Sequence, residues 1–586
     1  MAAHLADPEH NPSFTRSVFV GQISEDLVFP FPQLAPAEQE DLTAILDSFR
    51  AWASATVDSA RLDREGRFGD DVRAGMAELG MMGLNIPEEY GGFGASALVF
   101  SRVFGEVGTT DASLAVYFGA HQSIGCKGIA LFGTDDQKRR WLTPCATGER
   151  VAAFCLTESG SGSDAKAMRA TATPSADGSH YLLNGEKIWI SNAGYAGVFT
   201  VFAKVPVEAE GRTRQGVTAF IVDAHAAGIA LGKVEDKMGI RASDTRTVSF
   251  ANVRVPVEDR LGAVGDGFRI ALEVLNSGRL GLAAGSARGA RKVLDYALAH
   301  AKERRQFGRP IGSFEMIQHK FALAAAECYA ADAGWMTCAS MMDRGGIDFS
   351  LETAACKVFA SELAYRAAGD AQQIAGGLGY SKEYPYEQVV RDCRVMLIFE
   401  GTNEILRALI ALSGLQQAGA QFKAMGNALR NPLRSLGAIG SFIGGRMKRR
   451  LAKPAFTRAH PALRNEARQV AAAVDALARA VEKLLIAHGK DVIERQFHQQ
   501  RLADAAIDIF LSAATLSRAT WAIETAGGPH DAKADLDNAR IFIALAMRRT
   551  RRALRALKHN QDAGLKLLAE RALETGSLTV ATPTDR

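Results

Sequence analysis

The sequence has few cysteines and no long apolar run. No stretch of about 18 consecutive apolar residues occurs, which excludes an ordinary transmembrane helix. The seven cysteines form no CxxC or CxxH pair, so we predict no metal site and no disulfide framework, and we expect the reduced thiols of an intracellular protein. The first 15 residues contain Asp7 and Glu9 and lack an apolar core, and we therefore expect no signal peptide.

A strong charge of either sign is also absent. The 69 Lys and Arg residues and the 65 Asp and Glu residues give a formal net charge of +4, which argues against a protein built for nucleic acid. Hydrophobic residues make up 47% of the chain, a share that supports sizeable cores. At 586 residues the chain is too long for one core, and we expect several domains.

Residue patterning predicts a mostly α-helical α+β protein. Helical periodicity dominates up to residue 150 and again from residue 265. Between these regions lie short β-branched and aromatic runs separated by turn residues, which predict a compact antiparallel β-domain with a tight hairpin at Asn184-Gly185. The predicted segments are an N-terminal extended segment (1–34), an N-terminal helical domain (35–150), the β-domain (151–264), a helical bundle (265–420), a basic amphipathic segment (421–460) and a C-terminal helical domain (461–586).

The basic amphipathic segment differs from the rest of the chain in charge. Residues 424–454 carry seven cationic side chains and no acidic one, with apolar residues on one helical stripe and glycines that weaken a helix in water. This pattern is typical of a segment that folds on an anionic membrane surface. A mobile basic linker fits the same residues, and both interpretations stay open at this point. The cationic residues are Arg430, Arg434, Arg446, Lys448, Arg449, Arg450 and Lys453.

Glu400 is the first candidate for a catalytic residue. It lies between Phe399 and Gly401, directly before an apolar helical run. Apolar neighbours at a helix entrance leave a carboxylate poorly solvated and raise its pKa, as a general base requires. A glutamate that only offsets the dipole of the following helix is the alternative.

Four further motifs offer contacts for a ligand. The loop 155–164 is rich in serine and glycine and offers N–H and O–H donors to a phosphate or a polar ring. In a predicted strand, Trp189 would cover a flat ring and Ser191 would hydrogen-bond it, although an indole in a strand more commonly belongs to the core. Arg304 and the glycines after Gln373 suit a diphosphate or a close ligand contact, with a helix cap or a surface cation as the alternative.

Together these motifs resemble the acyl-CoA dehydrogenase family, and specifically its very-long-chain form. The resemblance implies a homodimeric FAD enzyme that oxidises long-chain acyl-CoA to trans-2-enoyl-CoA in fatty-acid β-oxidation. Glu400 would remove the α-proton while the β-hydrogen leaves as hydride to flavin N5. Gly278 occupies the position at which some relatives carry the base, which leaves Glu400 as the only candidate. The resemblance also rests on Val20-Gly21-Gln22, His121 to Gly125, Lys237 to Ser243 and Gln500 to Asp504.

The resemblance further implies which residues surround each ligand. The expected FAD contacts are Phe154, Leu156, Thr157, Gly162, Ser163, Trp189, Ile190, Ser191, Arg304, Phe307, Gln373, Gly376, Gly377, Thr402 and Glu404. The expected substrate contacts are Ser163, Asn276, Arg279, Phe399, Gly401, Ala115 and Gly119. Because Ala115 and Gly119 are small, they would leave the acyl tunnel open to long chains.

The resemblance implies partners as well. It implies electron-transferring flavoprotein as the electron acceptor, and with the basic segment it implies a cytoplasmic protein on the inner face of a bacterial-type membrane. Two other functions are weighed against this one: an acyl-CoA oxidase that passes electrons to oxygen, and a scaffold for membrane-complex assembly that retains the fold. The intact set of Glu400, Trp189 and Arg304 disfavours a purely structural role.

Overall fold

The computed structural model describes residues 11–209, 212–430 and 454–578. The α-helices are α1 Phe14–Val18, α2 Glu25–Val28, α3 Pro36–Thr56, α4 Ser59–Glu65, α5 Asp70–Glu78, α6 Ala97–Thr110, α7 Ala112–Gly119, α8 Lys127–Phe132, α9 Asp135–Ala146, α10 Gly267–Glu303, α11 Glu315–Arg344, α12 Ser350–Ala375, α13 Gly377–Tyr380, α14 Tyr386–Arg394, α15 Asn403–Arg430, α16 Arg464–His488, α17 Gln496–Thr525, α18 Lys533–Ala556 and α19 Asp562–Thr575. The strands are β1 Val151–Cys155, β2 Thr171–Pro174, β3 His180–Ser191, β4 Ala196–Ala209, β5 Arg212–Asp223, β6 Ile229–Val234, β7 Thr245–Pro256, β8 Arg260–Leu261, β9 Arg305–Gln306 and β10 Arg309–Pro310.

The N-terminal segment was predicted to be extended, and this prediction is wrong for two short stretches that form α1 and α2. Ser13 caps α1 by accepting a hydrogen bond from the N–H of Arg16 at 3.2 Å. Phe14 and Val18 lie one helical turn apart and are both buried. A capped turn with an apolar face therefore outweighs the extended preference of the prolines that follow.

The N-terminal segment packs on the C-terminal helical domain through aromatic rings. Three pairs of ring centroids lie about 6 Å apart, a distance that suits tilted aromatic contacts. The segment thus packs Phe14 and Phe31 against α17 and Phe29 against the chain just before α16, all distant in the sequence. The pairs are Phe14 with Phe510 at 6.0 Å, Phe29 with Phe456 at 6.4 Å and Phe31 with Trp521 at 5.8 Å.

The central sheet contains β1 to β8 in the order β6-β7-β3-β2-β4-β5-β8, with β1 also paired to β4. Most neighbouring strands are antiparallel, as predicted. Both β1 and β2 run parallel to β4, which the prediction did not include. Each of these two strands reaches β4 through other strands and not through a tight turn, so a parallel arrangement is possible.

The predicted hairpin at Asn184-Gly185 is wrong. Both residues lie within β3, where the register with β7 shifts between Leu183 and Gly185. Gly185 has a φ of +141°, and a Cβ at this position would lie 2.6 Å from the Cβ of Ala170. The glycine therefore serves a β-bulge that crosses closely over another part of the chain.

The bundle and the C-terminal helical domain share one hydrophobic core, which joins α10, α11, α12 and α15 to α16, α17 and α18. The predicted basic segment, residues 421–460, falls largely outside the described residues. Of that range, only the backbone up to Arg430 and the chain from Pro454 onward are described. In the parts of the chain that the structure describes, no helix combines the length and the apolarity needed to cross a bilayer.

Candidate active site

Glu400 lies on a strained turn between a short 3₁₀-helix and α15. Glu400 has a φ of +58° and the next residue, Gly401, a φ of +91°, so two consecutive residues adopt left-handed backbone. Two buried cations hold this turn: the Nε of Arg279 donates to the carbonyl oxygen of Glu400 at 3.1 Å, and the Nζ of Lys357 donates to that of Gly401 at 2.9 Å. Both cations bind the backbone, which leaves the carboxylate of Glu400 free to react.

The carboxylate of Glu400 packs directly against Gly278 of α10. A Cβ at position 278 would lie 2.8 Å from the Cδ and from both carboxylate oxygens of Glu400. The Oε2 atom is enclosed and has no hydrogen-bond partner among the described residues. Burial raises the pKa of Glu400 to about 7, against the opposing positive charges of Arg279 and Lys357. A buried carboxylate with an unused oxygen and a near-neutral pKa suits proton abstraction.

Glu400 lines a cavity of about 360 Å³ bounded by α6, α7, α10 and α14. The wall formed by α10 is a helical stripe that contains three glycines. Tyr296 lies 18 residues beyond Gly278, which corresponds to about 27 Å of helix. The cavity is therefore long and largely apolar, with the candidate base at one end. The α10 residues that line the cavity are Gly278, Leu282, Gly285, Ser286, Gly289, Lys292, Val293 and Tyr296.

Two other carboxylates near this cavity already have hydrogen-bond partners. Asp111 caps α7, with Oδ1 accepting from the N–H of Leu114 at 2.8 Å. Asp392 accepts from the N–H of Ile240 at 2.5 Å, and burial raises its pKa to about 7. A raised pKa therefore does not distinguish Glu400 from Asp392. The unpartnered oxygen of Glu400 does.

Trp189 is exposed, which excludes the core position left open by the sequence. It lies in β3 at a register shift between Lys187 and Ile190, has a φ of +56°, and keeps 63% of its surface exposed. The side chain of Ile190 is buried, whereas Ser191 lines the same cavity as Glu400. A left-handed bulge that turns an indole outward beside a cavity is a strained feature, and such features cluster at ligand sites.

The serine- and glycine-rich loop after β1 is anchored by a buried ion pair. The Nζ of Lys187 donates to Oε1 of Glu158 at 2.7 Å and to the carbonyl oxygen of Leu156 at 3.0 Å. The same carboxylate of Glu158 accepts from the N–H groups of Arg169 and Ala170 at 2.5 and 3.0 Å. Both ends of the loop are therefore fixed to β3, the strand that carries Trp189.

The remaining predicted FAD contacts are divided between this loop and a separate region. Phe154 at the end of β1 and Thr157 in the loop are half-buried, while Gly162 and Ser163 of the loop are exposed. Thr402 caps α15 by accepting from the N–H of Ile405 at 3.3 Å. The contacts that are exposed and do not line the cavity are Arg304, Phe307, Gln373, Gly376, Gly377 and Glu404.

The predicted substrate contacts fall into two groups. Ala115, Gly119 and Phe399 line the cavity. Asn276 and Arg279 are buried outside the cavity lining, where the Nη1 of Arg279 donates to Oδ1 of Asn276 at 3.0 Å. Arg279 of this pair also donates to the carbonyl oxygen of Glu400, so the pair supports the turn from outside the cavity.

Sequence reasoning missed the two buried lysines that support the site. Lys357 follows Ala354-Ala355-Cys356 in α12, and Lys187 lies in the half-buried strand β3. Lysine is almost never fully buried unless it is paired, so a lone lysine in an apolar helix run is a recognisable sign of a polar centre. Burial lowers the pKa of Lys357 to about 7.

The donors around Trp189 fit a flavin. The exposed indole offers a flat apolar face, and hydroxyl groups are offered by Ser191 of the same strand and by Thr157 and Ser163 of the loop that Lys187 anchors to that strand. A Cβ added at Gly162 would meet nothing within 4 Å, so a planar ligand has space at the loop. The residues present are therefore compatible with an isoalloxazine ring.

A buried cluster of His121, Cys126 and Cys145 has the spacing of metal ligands, with its donor atoms within 4.8 Å of one another. The Nδ1 of His121 accepts from the N–H of Ala152 at 2.9 Å. Its Nε2 contacts the carbonyl oxygens of Met82 and Cys145 at 3.1 and 3.2 Å. Because one ring nitrogen accepts and the other donates, the imidazole has no lone pair free for a metal.

Comparison with known proteins identifies four domains along the chain. Residues 39–149, 153–253 and 265–415 match the N-terminal, middle and C-terminal domains of acyl-CoA dehydrogenases, and residues 461–577 match the ACAD9/ACADV C-terminal domain. The very long-chain specific acyl-CoA dehydrogenase of Bos taurus is 39% identical over 97% of this chain and 89% of its own length.

The chain is also similar to solved structures. An acyl-CoA dehydrogenase complexed with FAD from Bacillus anthracis is 29% identical, with a TM-score of 0.78 over 97% of this chain and 95% of that one. A chain from a structure described as the electron transferring flavoprotein of Acidaminococcus fermentans is 35% identical, with a TM-score of 0.60 over 65% of this chain and 98% of that one.

Proposed function

The chain belongs to the acyl-CoA dehydrogenase family of FAD-dependent oxidoreductases of fatty-acid β-oxidation, and we propose that it converts long-chain acyl-CoA to trans-2-enoyl-CoA with Glu400 as the base. The observation that carries this proposal is the Glu400 carboxylate. Its enclosed, unpartnered Oε2 and its pKa of about 7 occur at one end of a long apolar cavity. Such a carboxylate takes up and releases a proton near neutral pH, as a general base must.

The α-proton of a thioester is too weakly acidic for a carboxylate alone, so the thioester carbonyl needs hydrogen-bond donors. Within the described residues, the backbone N–H of Glu400 donates to no protein group. This N–H is therefore available to the carbonyl oxygen of the substrate. The hydrogen bonds from Arg279 and Lys357 to the neighbouring carbonyls fix its direction before substrate binds.

FAD, when bound, supplies the hydride acceptor for the β-hydrogen. Trp189, Ser191 and the loop from Thr157 to Ser163 would hold its ring system. Arg304 and Gln373 would hold its diphosphate and adenosine across a dimer interface. Exposed apolar side chains near these positions support such an interface, because Phe307 is 94% exposed in the single chain.

The length of the cavity supports long acyl chains. A lumen that follows about 27 Å of α10 exceeds the space that a short acyl group fills. Much of its wall is apolar, so an alkyl chain gains by leaving water in the lumen. Electron-transferring flavoprotein is the proposed acceptor of the electrons, on the basis of family membership.

The function is tested by anaerobic flavin bleaching. Purified protein is expected to be yellow and to lose its flavin absorbance when palmitoyl-CoA is added without oxygen. A flavin that stays oxidised contradicts the dehydrogenase, and rapid reoxidation by air after bleaching indicates an oxidase. A folded protein that binds no FAD indicates a scaffold.

Lys357→Met is expected to shift the pH dependence of bleaching to higher pH. The rate rises with pH as Glu400 loses its proton, with a midpoint near its pKa of about 7. Lys357 lowers that pKa through its charge, so its removal raises the midpoint. Stopped-flow absorbance across the neutral range measures this shift.

The matched control for this prediction is Lys127→Met. Lys127 is also enclosed, and its Nζ donates to Oδ1 of Asn85 at 3.3 Å, but it does not line the cavity. Its substitution leaves the midpoint unchanged. An unshifted profile in Lys357→Met, or an equal shift in both variants, contradicts the role given to Lys357.

We also propose that the basic segment, residues 424–454, binds the anionic inner face of a membrane and that the protein is a cytoplasmic homodimer. The charge of this segment supports the first proposal. Its deletion is expected to abolish binding to vesicles that contain anionic lipid and to preserve activity on soluble acyl-CoA. Undiminished vesicle binding contradicts it.

A further inference from the structure

The ring of Phe104 occupies a slot formed by three glycines. A Cβ at Gly119 of α7 would lie 2.5 Å from its Cε2, and a Cβ at Gly285 of α10 would lie 2.9 Å from its Cε1. At Gly281, one turn earlier on α10, a Cβ would lie 3.4 Å from Cδ2. Real Cβ atoms essentially never approach as closely as the first two distances, so the ring fits there only because positions 119 and 285 carry no side chain.

Phe104 also lines the cavity that contains Glu400. Its ring centroid lies 6.2 Å from that of Phe100 and 6.1 Å from that of Phe118, so other aromatic side chains restrict its movement away from the lumen. The glycine slot and the aromatic neighbours together leave the lumen as the direction in which the ring can move.

The position of the ring along the cavity follows from α10. Gly278 touches the base, and Gly285 is seven residues further along, which is about 10 Å of helix. The cavity continues beyond this point to Val293 and Tyr296. Phe104 is therefore located part of the way along the lumen from Glu400, so short acyl groups stop before the ring and long ones must pass it.

We propose that Phe104 determines which acyl chains this enzyme accepts, because the glycine slot holds its ring out of the lumen and so keeps the lumen open to long chains. The inference rests on the proposed function, since it assumes that the cavity holds the acyl group. It gives Gly119 a different role from the one that its small size suggests. Gly119 does not simply leave the tunnel empty; it makes room for the ring of Phe104.

The test fills the slot and follows the acyl-length profile. Gly285→Ala places a methyl group where the ring lies and moves the ring into the lumen. We expect kcat/KM for palmitoyl-CoA to fall by about tenfold or more and that for butyryl-CoA to change by less than about threefold. Octanoyl-CoA is expected to give an intermediate loss. Gly119→Ala fills the slot from the other side and is expected to give the same profile.

A double variant separates the ring from other effects of the methyl group. In a Phe104→Ala background, Gly285→Ala is expected to change the palmitoyl-CoA value by less than about threefold, because no ring remains to be displaced. Gly564→Ala in α19 is the matched control, since it adds the same methyl group to a helix with no atom within 4 Å and outside the cavity. Thermal transitions and FAD content verify that each variant folds.

Two results overturn the inference. One is an equal loss at every acyl length in both Gly285→Ala and Gly119→Ala, and the other is a palmitoyl-CoA penalty that persists without Phe104. Failure of the proposed function would give a different result: the unmodified enzyme would then bleach with none of the three acyl-CoA substrates.

Discussion

Replacing Glu400 with glutamine is expected to slow substrate-dependent bleaching by about a hundred- to ten-thousand-fold while FAD stays bound. Glutamine has nearly the same shape and keeps the contact with Gly278, but its amide cannot accept the α-proton. The neighbouring hydrogen bonds go to backbone carbonyls and do not depend on the charge of residue 400. Anaerobic stopped-flow absorbance measures the rate, and the flavin spectrum of the resting protein measures the retained FAD.

Glu352→Gln is the matched control for this prediction. Glu352 is buried in α12, where its Oε1 accepts from the hydroxyl of Ser13 and the N–H of Thr15 at 2.9 and 2.7 Å. Burial raises its pKa to about 7, and it also has an oxygen without a partner, yet it does not line the cavity. The control is expected to bleach at the unmodified rate. Full activity in Glu400→Gln, or equal losses in both variants, refutes the assignment of the base.

This comparison shows what a raised pKa can and cannot identify. Burial raises the pKa of Glu273, Glu352, Asp392 and Glu400 alike to about 7. Desolvation acts on any enclosed carboxyl group, whatever its role. Glu400 differs because it combines the raised pKa with a free oxygen and a position in the cavity. The geometry of the site therefore decides between groups that titrate alike.

Periodicity predicted the fold class because it depends on local rules. Helices and strands repeat their apolar residues with different periods, so the helical and β regions could be separated from the sequence alone. The bulge at Gly185 could not be predicted from the sequence, because an Asn-Gly pair is typical of a hairpin. The close approach of Ala170, which explains the glycine, is visible only in the structure. The parallel pairing of β1 and β2 with β4 is likewise set by tertiary connections.

The candidate site was predictable where it depends on residue type and less so where it depends on backbone conformation. Sequence reasoning favoured a core position for an indole in a strand, whereas Trp189 is turned outward by a left-handed bulge. The left-handed turn at Glu400 is held by Arg279 and Lys357, which lie 121 and 44 residues away from their partners. Contacts over such separations leave no local pattern in the sequence.

The buried pair of Lys187 and Glu158 leads to the second large prediction. Burial raises the pKa of Glu158, but Lys187 and two backbone N–H groups outweigh burial and lower it, so the carboxylate is charged. Lys187→Met removes its counterion and leaves that charge enclosed. Breaking such a pair costs about 3–5 kcal/mol. The loop that is proposed to hold FAD loses one of its anchors at the same time.

Lys187→Met is therefore expected to lower both the temperature of thermal unfolding and the affinity of the apoprotein for FAD, measured by flavin fluorescence. Lys566→Met is the control for loss of a lysine charge, because the pair of Lys566 and Glu570 is exposed and is expected to change neither value. Equal behaviour of the two lysine variants contradicts the anchoring role.

The double variant Lys187→Met with Glu158→Gln distinguishes an uncompensated charge from a lost contact. Glutamine at 158 is neutral and keeps one of the two oxygens that accept from the N–H groups of Arg169 and Ala170, so it retains one of these two hydrogen bonds. If the cost of Lys187→Met arises from the buried Glu158 carboxylate that has lost its counterion, the double variant unfolds at a higher temperature than Lys187→Met alone. If the cost arises from the lost hydrogen bond to Leu156, the second substitution recovers nothing, because that carbonyl stays without its donor.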